Sequence, residues 1–234
     1  MISLTIRPRR ANFLRSSAQR LGAAAALVVF LLLVAPHSAS AQAYCALRDP
    51  STAVAELFPE STSYRTIVRV LGEEARLEMR QRFALDLRAN ELGQHSVYAV
   101  FAEDEPLGIV HVRSEKGRWG LVEIAWALDL DLQIVDLRIQ RGHDDAAAQL
   151  LEGDFVDRLR GRNLKNLDLE HQGALGGKAL LAADLPAEQR EFALLLLLAA
   201  PRTIAATWIG WRNEIAQLRQ LGREQATITV NRRG

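Results

Sequence analysis

The chain has 234 residues, 49% of them hydrophobic and 24% charged, an ordinary globular composition whose length suits one domain plus an export signal. The formal net charge of +1 hides an asymmetry: residues 1–41 hold five arginines and no acid, leaving 24 basic against 28 acidic residues beyond them, a net of −4. A mildly acidic body without interleaved aromatic and basic residues gives no support to nucleic-acid binding.

Residues 1–43 read as a signal peptide. A charged region, 1–20, precedes an apolar core from Leu21 to Ala35, and Ala39-Ser40-Ala41 and Ala41-Gln42-Ala43 are small-x-small cleavage sites. Fifteen apolar residues fall short of the roughly 20 that a membrane span needs. The expected location is therefore periplasmic or secreted. Arg9-Arg10 is similar to a twin-arginine signal, with one residue too many before Phe13-Leu14. Cys45 is the lone cysteine, so no internal disulfide is possible, and Tyr44 before it does not suit lipidation.

Residues 44–94 are a lead-in to the domain. Ala53 to Phe58 suits one or two helical turns, and Thr66 to Leu71 reads as a strand. Residues 73–82 favour helix by propensity, yet Leu77, Met79 and Phe83 also alternate, so both readings stand. Val97–Phe101, Ile109–Val112, Leu121–Leu128 and Leu132–Ile139 are β-rich runs with turns at Asp104-Glu105-Pro106 and Asp129-Leu130-Asp131. Such spacing predicts an antiparallel meander. Ala146 to Leu159 has helical period, stopped by Gly161. From Pro186 to Leu221 the chain reads as helical, with a kink or break at Pro201. The apolar run Phe192 to Trp211 is long enough for a span, but a central Arg202 costs roughly 2.5–3.5 kcal/mol of insertion, which favours a buried helix pair. The expected fold is α+β: a twisted antiparallel sheet with packed helices and a C-terminal helical section over 184–234.

No hydrolase elbow, zinc-protease motif, C-x-x-C pair or Walker loop occurs, so no catalytic residue and no metal site is assigned. His95 and His111 lie in or near strands and read as structural. His143-Asp144-Asp145 reads as a solvated strand-to-helix turn with Asp144 or Asp145 as the cap, the alternative being a metal ligand set or the lining of a site. The informative stretch is Gln172-Gly173-Ala174-Leu175-Gly176-Gly177-Lys178. Three glycines before a helix let backbone N–H groups approach a phosphate, and Lys178 adds a full charge.

Residues 95–183 resemble the FMN-binding domain family, which includes the flavin-carrying subunits of Rnf-type and sodium-pumping quinone-reducing complexes. The likeness rests on the hairpin Val97–Val112 with Gly108, on Lys116-Gly117-Arg118-Trp119-Gly120 followed by the central hairpin, on Gly153 to Arg162, and on Gly173 to Leu180. The last stretch lies where the family writes S-G-A-T-x-[ST]-x-A-[VI], whose threonine bonds the FMN phosphate in covalent members. Leu175 stands at that threonine, and leucine has no hydroxyl to esterify. Arg141 to Asp145 replaces the family's E-T-P-G-x-G turn. The resemblance therefore implies non-covalent FMN, held by the backbone of 173–177 (Gly173, Ala174, Leu175, Gly176 and Gly177) and by Lys178, with Trp119 and His143 beside the flavin. It implies electron transfer to a redox protein partner, which could be membrane-bound. A flavin-less scaffold serving as an interaction module, or a small flavin reductase, remain as alternatives.

Overall fold

Alternation along the middle of the chain generates the sheet. A computed structural model of the protein describes residues 50–143, 145–167 and 184–233, all within one compact unit. The expected signal peptide, Cys45 and residues 173–178 lie outside the described residues. Five strands, β1 (Ser63–Leu71), β2 (Gly93–Ala102), β3 (Glu105–Gly117), β4 (Gly120–Leu128) and β5 (Ile134–Arg141), pair antiparallel in the order β1-β2-β3-β4-β5. The fold is α+β with the meander that the spacing predicts, and the lead-in strand β1 forms one edge of it.

Successive side chains point to opposite faces of a strand, and here each face meets its own layer. Helix α1 (Ser51–Leu57) sets Ala53, Val54 and Leu57, with Phe58 just beyond, against Tyr98, Val100, Val110, Val112, Ala125 and Ala127. The opposite face, with Val97, Ala99, Ile109, Ile124, Trp126 and Leu128, belongs to the larger core. Helices that contribute there include α2 (Glu73–Phe83), α3 (Asp145–Glu152), α4 (Phe155–Leu159) and α5 (Ala187–Arg233). Residues 73–83 are thus helical, and of the two readings propensity wins; Met79 is the residue that α2 buries fully.

The turns follow from local chemistry. Asp129 Oδ1 accepts the backbone N–H groups of Asp131 and Gln133, both at 2.8 Å, closing the β4–β5 connection. The β2–β3 turn falls one residue earlier than expected, at Glu103-Asp104, and Glu105 and Pro106 enter β3. Proline cannot donate to a ladder, and the β2–β3 register shifts between Val100 and Phe101, opposite Gly108 and Pro106. At Gly108 a Cβ would sit 2.4 Å from the Leu128 carbonyl oxygen and 2.9 Å from Phe58 Cζ. Gly108→Ala is therefore expected to lower the unfolding free energy by about 1–3 kcal/mol, the range for overpacking. A urea titration beside the parent protein reads this directly, and an unchanged midpoint refutes the close approach.

Two helix expectations are corrected. The single helix over 146–159 is two, α3 and α4, broken at Gly153-Asp154, where Asp154 has φ −80° and ψ 2°. Glycine is a poor helix former, and the break lets Leu150, Phe155, Val156 and Leu159 all reach the core. Pro201 does not end the C-terminal helix. Non-helical dihedrals fall ten residues later, at Trp211 (φ −132°, ψ 18°), whose indole N–H donates to the Ile67 carbonyl of β1 at 3.1 Å. Around Pro201, Arg202 Nε donates to Leu198 O and Thr203 Oγ1 to Ala199 O, adding side-chain hydrogen bonds to that turn. α5 is long and apolar enough to cross a membrane by length and composition, and 72% of its most apolar window is buried within the fold.

Candidate functional site

Two places gather polar chemistry. The first is an open cleft of about 750 Å³ between the end of β5 and α3. Strand residues Arg138 to Arg141 form one wall, Gly142 and His143 the corner, and Ala147, Ala148 and Leu151 the apolar floor. Gln140 is half-buried here, and its Oε1 is buried with no donor among the described residues. Arg141 reaches Glu123 at 3.8 Å, and Arg138 pairs with Glu56. Arg138, Arg141 and His143 share the lining with one carboxylate, Glu152, and the cleft is large enough for a small ligand.

The sequence-derived site residues are only partly brought together. His143 is exposed and lines this cleft. Trp119 sits in the β3–β4 turn, 62% exposed, with the Arg118 guanidinium 4.9 Å from its ring centre. A buried or half-buried strand aromatic, the alternative to flavin cover, is thus not what Trp119 is: it is an exposed turn residue. The register Glu123↔Arg141 puts the start of β4 beside the end of β5, so Trp119 and His143 occupy the same end of the sheet. Trp119 is not part of the cleft lining. Residues 173–178 lie outside the described residues, as does Asp144. Asp145 occupies the first turn of α3. Among the described residues no cluster of three or more His, Cys, Asp and Glu could hold a metal ion.

The second place is a charged cluster between the turn that precedes β2, strand β3 and α5, which sequence reasoning missed. Arg113 and Glu91, both buried, form an ion pair. Glu91 Oε2 also accepts the Arg88 backbone N–H at 2.7 Å, and Arg113 Nη1 donates to the Arg202 carbonyl at 3.2 Å. Glu115, again buried, receives Arg88 and Arg202 on one oxygen, Oε2, each at 2.8 Å. Burial works to raise the Glu91 pKa but is outweighed by Arg113, the Arg88 backbone N–H and Arg202, so its carboxyl stays below the usual range. Arg202 is pushed down by burial and by the neighbouring charges of Arg88 and Arg113, against the pull of Glu115 and Glu91.

The two histidines sit in the same layer. Thr207 Oγ1 donates its proton to Thr203 O at 2.7 Å, so at 2.8 Å from His111 Nδ1 it accepts. His111 is thereby the Nδ1–H tautomer, leaving Nε2 bare. His95 Nε2 lies 2.7 Å from the Glu91 carbonyl, an acceptor only, so His95 is the Nε2–H tautomer with Nδ1 bare. Neither bare nitrogen has a partner among the described residues. Burial lowers both pKa values, that of His111 furthest, with Arg113 adding repulsion to each. Both histidines are therefore neutral parts of the interior, in line with the structural reading of the sequence.

One signal for this cluster was present in the chain: Arg202 in the middle of the apolar run Phe192–Trp211. A buried helix carries such a residue only with a partner, and that partner, Glu115, lies 87 residues away on β3.

The fold and its polar clusters define an α+β domain with a five-stranded antiparallel meander covered on both faces. Comparison of the chain with protein-family models, with curated proteins and with solved structures finds no match.

Proposed function

We propose that the mature protein is an exported electron carrier that holds FMN without a covalent bond. The cleft between β5 and α3 carries this reading through one feature: Gln140 on its wall, whose buried Oε1 has no donor among the described residues. A flavin imide N–H is a donor of the kind that atom lacks, and Arg138, Arg141 and His143 on the same wall suit a phosphate monoester. The apolar floor of Ala147, Ala148 and Leu151 suits a flat ring. The order of family-like segments in the sequence, Gly173–Lys178 included, supports the same ligand. Bound FMN supplies the redox chemistry, and the chain supplies position, electrostatics and shielding from water. Trp119 and Leu121, both exposed beside this end of the sheet, would offer a redox partner an apolar contact.

The test is a visible spectrum of the mature protein, from periplasmic extract and after addition of FMN, before and after acid precipitation. A flavin spectrum is expected whose colour passes to the supernatant. Gln140→Leu is expected to weaken FMN about tenfold, the worth of one well-placed hydrogen bond. A colourless protein that ignores added FMN overturns the reading. It would leave a flavin-less interaction scaffold, which the exposed Trp119 also suits.

A further inference from the structure

We propose that a second cavity, between the end of β3 and the first turns of α5, binds a free apolar α-amino acid. It encloses about 380 Å³ and is separate from the cleft at β5 and α3, sharing no lining residue with it. Its polar end is Arg88, Glu115 and Arg202; its apolar wall is Phe192, Leu195 and Leu198.

The argument starts from the valences left over at the polar end. Both guanidiniums converge on Glu115 Oε2. Among the described residues each still has N–H groups without an acceptor, for Arg202 otherwise uses only Nε, on Leu198 O. Glu115 is 2% exposed, yet its second oxygen, Oε1, has no donor among the described residues. An unsatisfied buried carboxylate oxygen is costly, and most costly where the group is charged. The cavity thus presents spare cationic donors and a spare anionic acceptor side by side.

A simple anion would satisfy the arginines and repel Glu115. A simple cation would do the reverse. A zwitterion answers both: its carboxylate takes the free N–H groups of Arg88 and Arg202, and its α-ammonium donates to Glu115 Oε1. The side chain then faces Phe192, Leu195 and Leu198, which selects an apolar one. Lys116 and Arg118 at the rim, against Glu191, leave the entrance positive and favour the carboxylate end entering toward the arginines.

Calorimetry on the full mature chain tests this with L-leucine, L-phenylalanine, N-acetyl-L-leucine and L-leucinamide as probes. Binding of leucine and phenylalanine is expected. N-acetyl-leucine, which lacks the ammonium, and leucinamide, which lacks the carboxylate, should each bind at least about tenfold more weakly, because a site built for a polar group rejects the analogue without it. Glu115→Gln should weaken leucine but not N-acetyl-leucine, which loses the repulsion of the Glu115 charge. Since Glu115 is buried between two arginines, Leu198→Glu serves as a second variant: Leu198 is 46% exposed, so the fold tolerates the change, while the cavity wall becomes acidic. Leucine binding should be lost there. Absence of amino-acid binding by the parent chain at millimolar concentration overturns the proposal, as does N-acetyl-leucine binding as tightly as leucine, or normal binding by Leu198→Glu. The proposal is independent of the flavin reading: amino-acid binding without FMN binding leaves it standing, and FMN binding alone removes it.

Discussion

Replacing Arg113 with alanine is expected to lower the unfolding free energy by about 3–5 kcal/mol, the cost of leaving a buried charge without its partner. Arg113 on β3 and Glu91, just before β2, are both almost fully buried and pair with each other. Most domains have only about 5–15 kcal/mol in total, so the loss is a large fraction of the whole and should be plain in the unfolding midpoint. The double replacement Arg113→Met with Glu91→Leu removes both charges and should recover most of the loss, because an apolar pair of similar volume needs no counter-ion. Urea titrations of the single and double variants measure this. A double variant no more stable than the single one would mean that the wider network of Arg88, Glu115 and Arg202 depends on the pair. A single variant within about 1 kcal/mol of the parent, as for an exposed pair, would mean that the cluster is wet.

The second large effect is on pH. His95 and His111 are held neutral in the folded chain, with pKa values below the ordinary 6.5, because burial and the Arg113 charge oppose protonation. In the unfolded chain both titrate near 6.5. Below that pH the unfolded state binds more protons than the folded state, so stability falls as pH falls. Stability falls with each histidine until its own folded pKa is reached, and His111, the more strongly lowered, keeps contributing to lower pH than His95. Glu91 adds to the loss at lower pH. Its folded pKa is depressed, so its contribution is complete above the usual carboxylate range and disappears as pH drops through the folded value. Urea midpoints between pH 7.5 and 5 should therefore decline, and His111→Gln should make the decline shallower. A flat profile would show that the histidines take up protons in the folded state. This acid sensitivity also bears on the proposed amino-acid cavity, whose Arg88 and Arg202 neighbour the same cluster.

Local information in the chain determined the meander. Alternating apolar residues from Val97 to Ile139, punctuated by Asp129-Leu130-Asp131 and the glycines at 117 and 120, specify antiparallel strands because the side-chain period of a strand is two and short turns permit only antiparallel return. The helical period after Gly142 and the buried character of the Phe192–Trp211 run were equally legible, since each depends on neighbours within a few residues. Three things were decided only in the assembled protein. Trp211, and not Pro201, interrupts α5, because an indole–carbonyl bond to β1 acts across 144 residues of chain. Gly108 is needed for a carbonyl on β4 and a ring beyond α1, neither of which is near it in sequence. Finally, Arg88, Glu91, Arg113, Glu115 and Arg202 look along the chain like scattered surface charges. Their partners lie 22 to 87 residues away, and only the packing of α5 across β3 removes the water that would otherwise screen them.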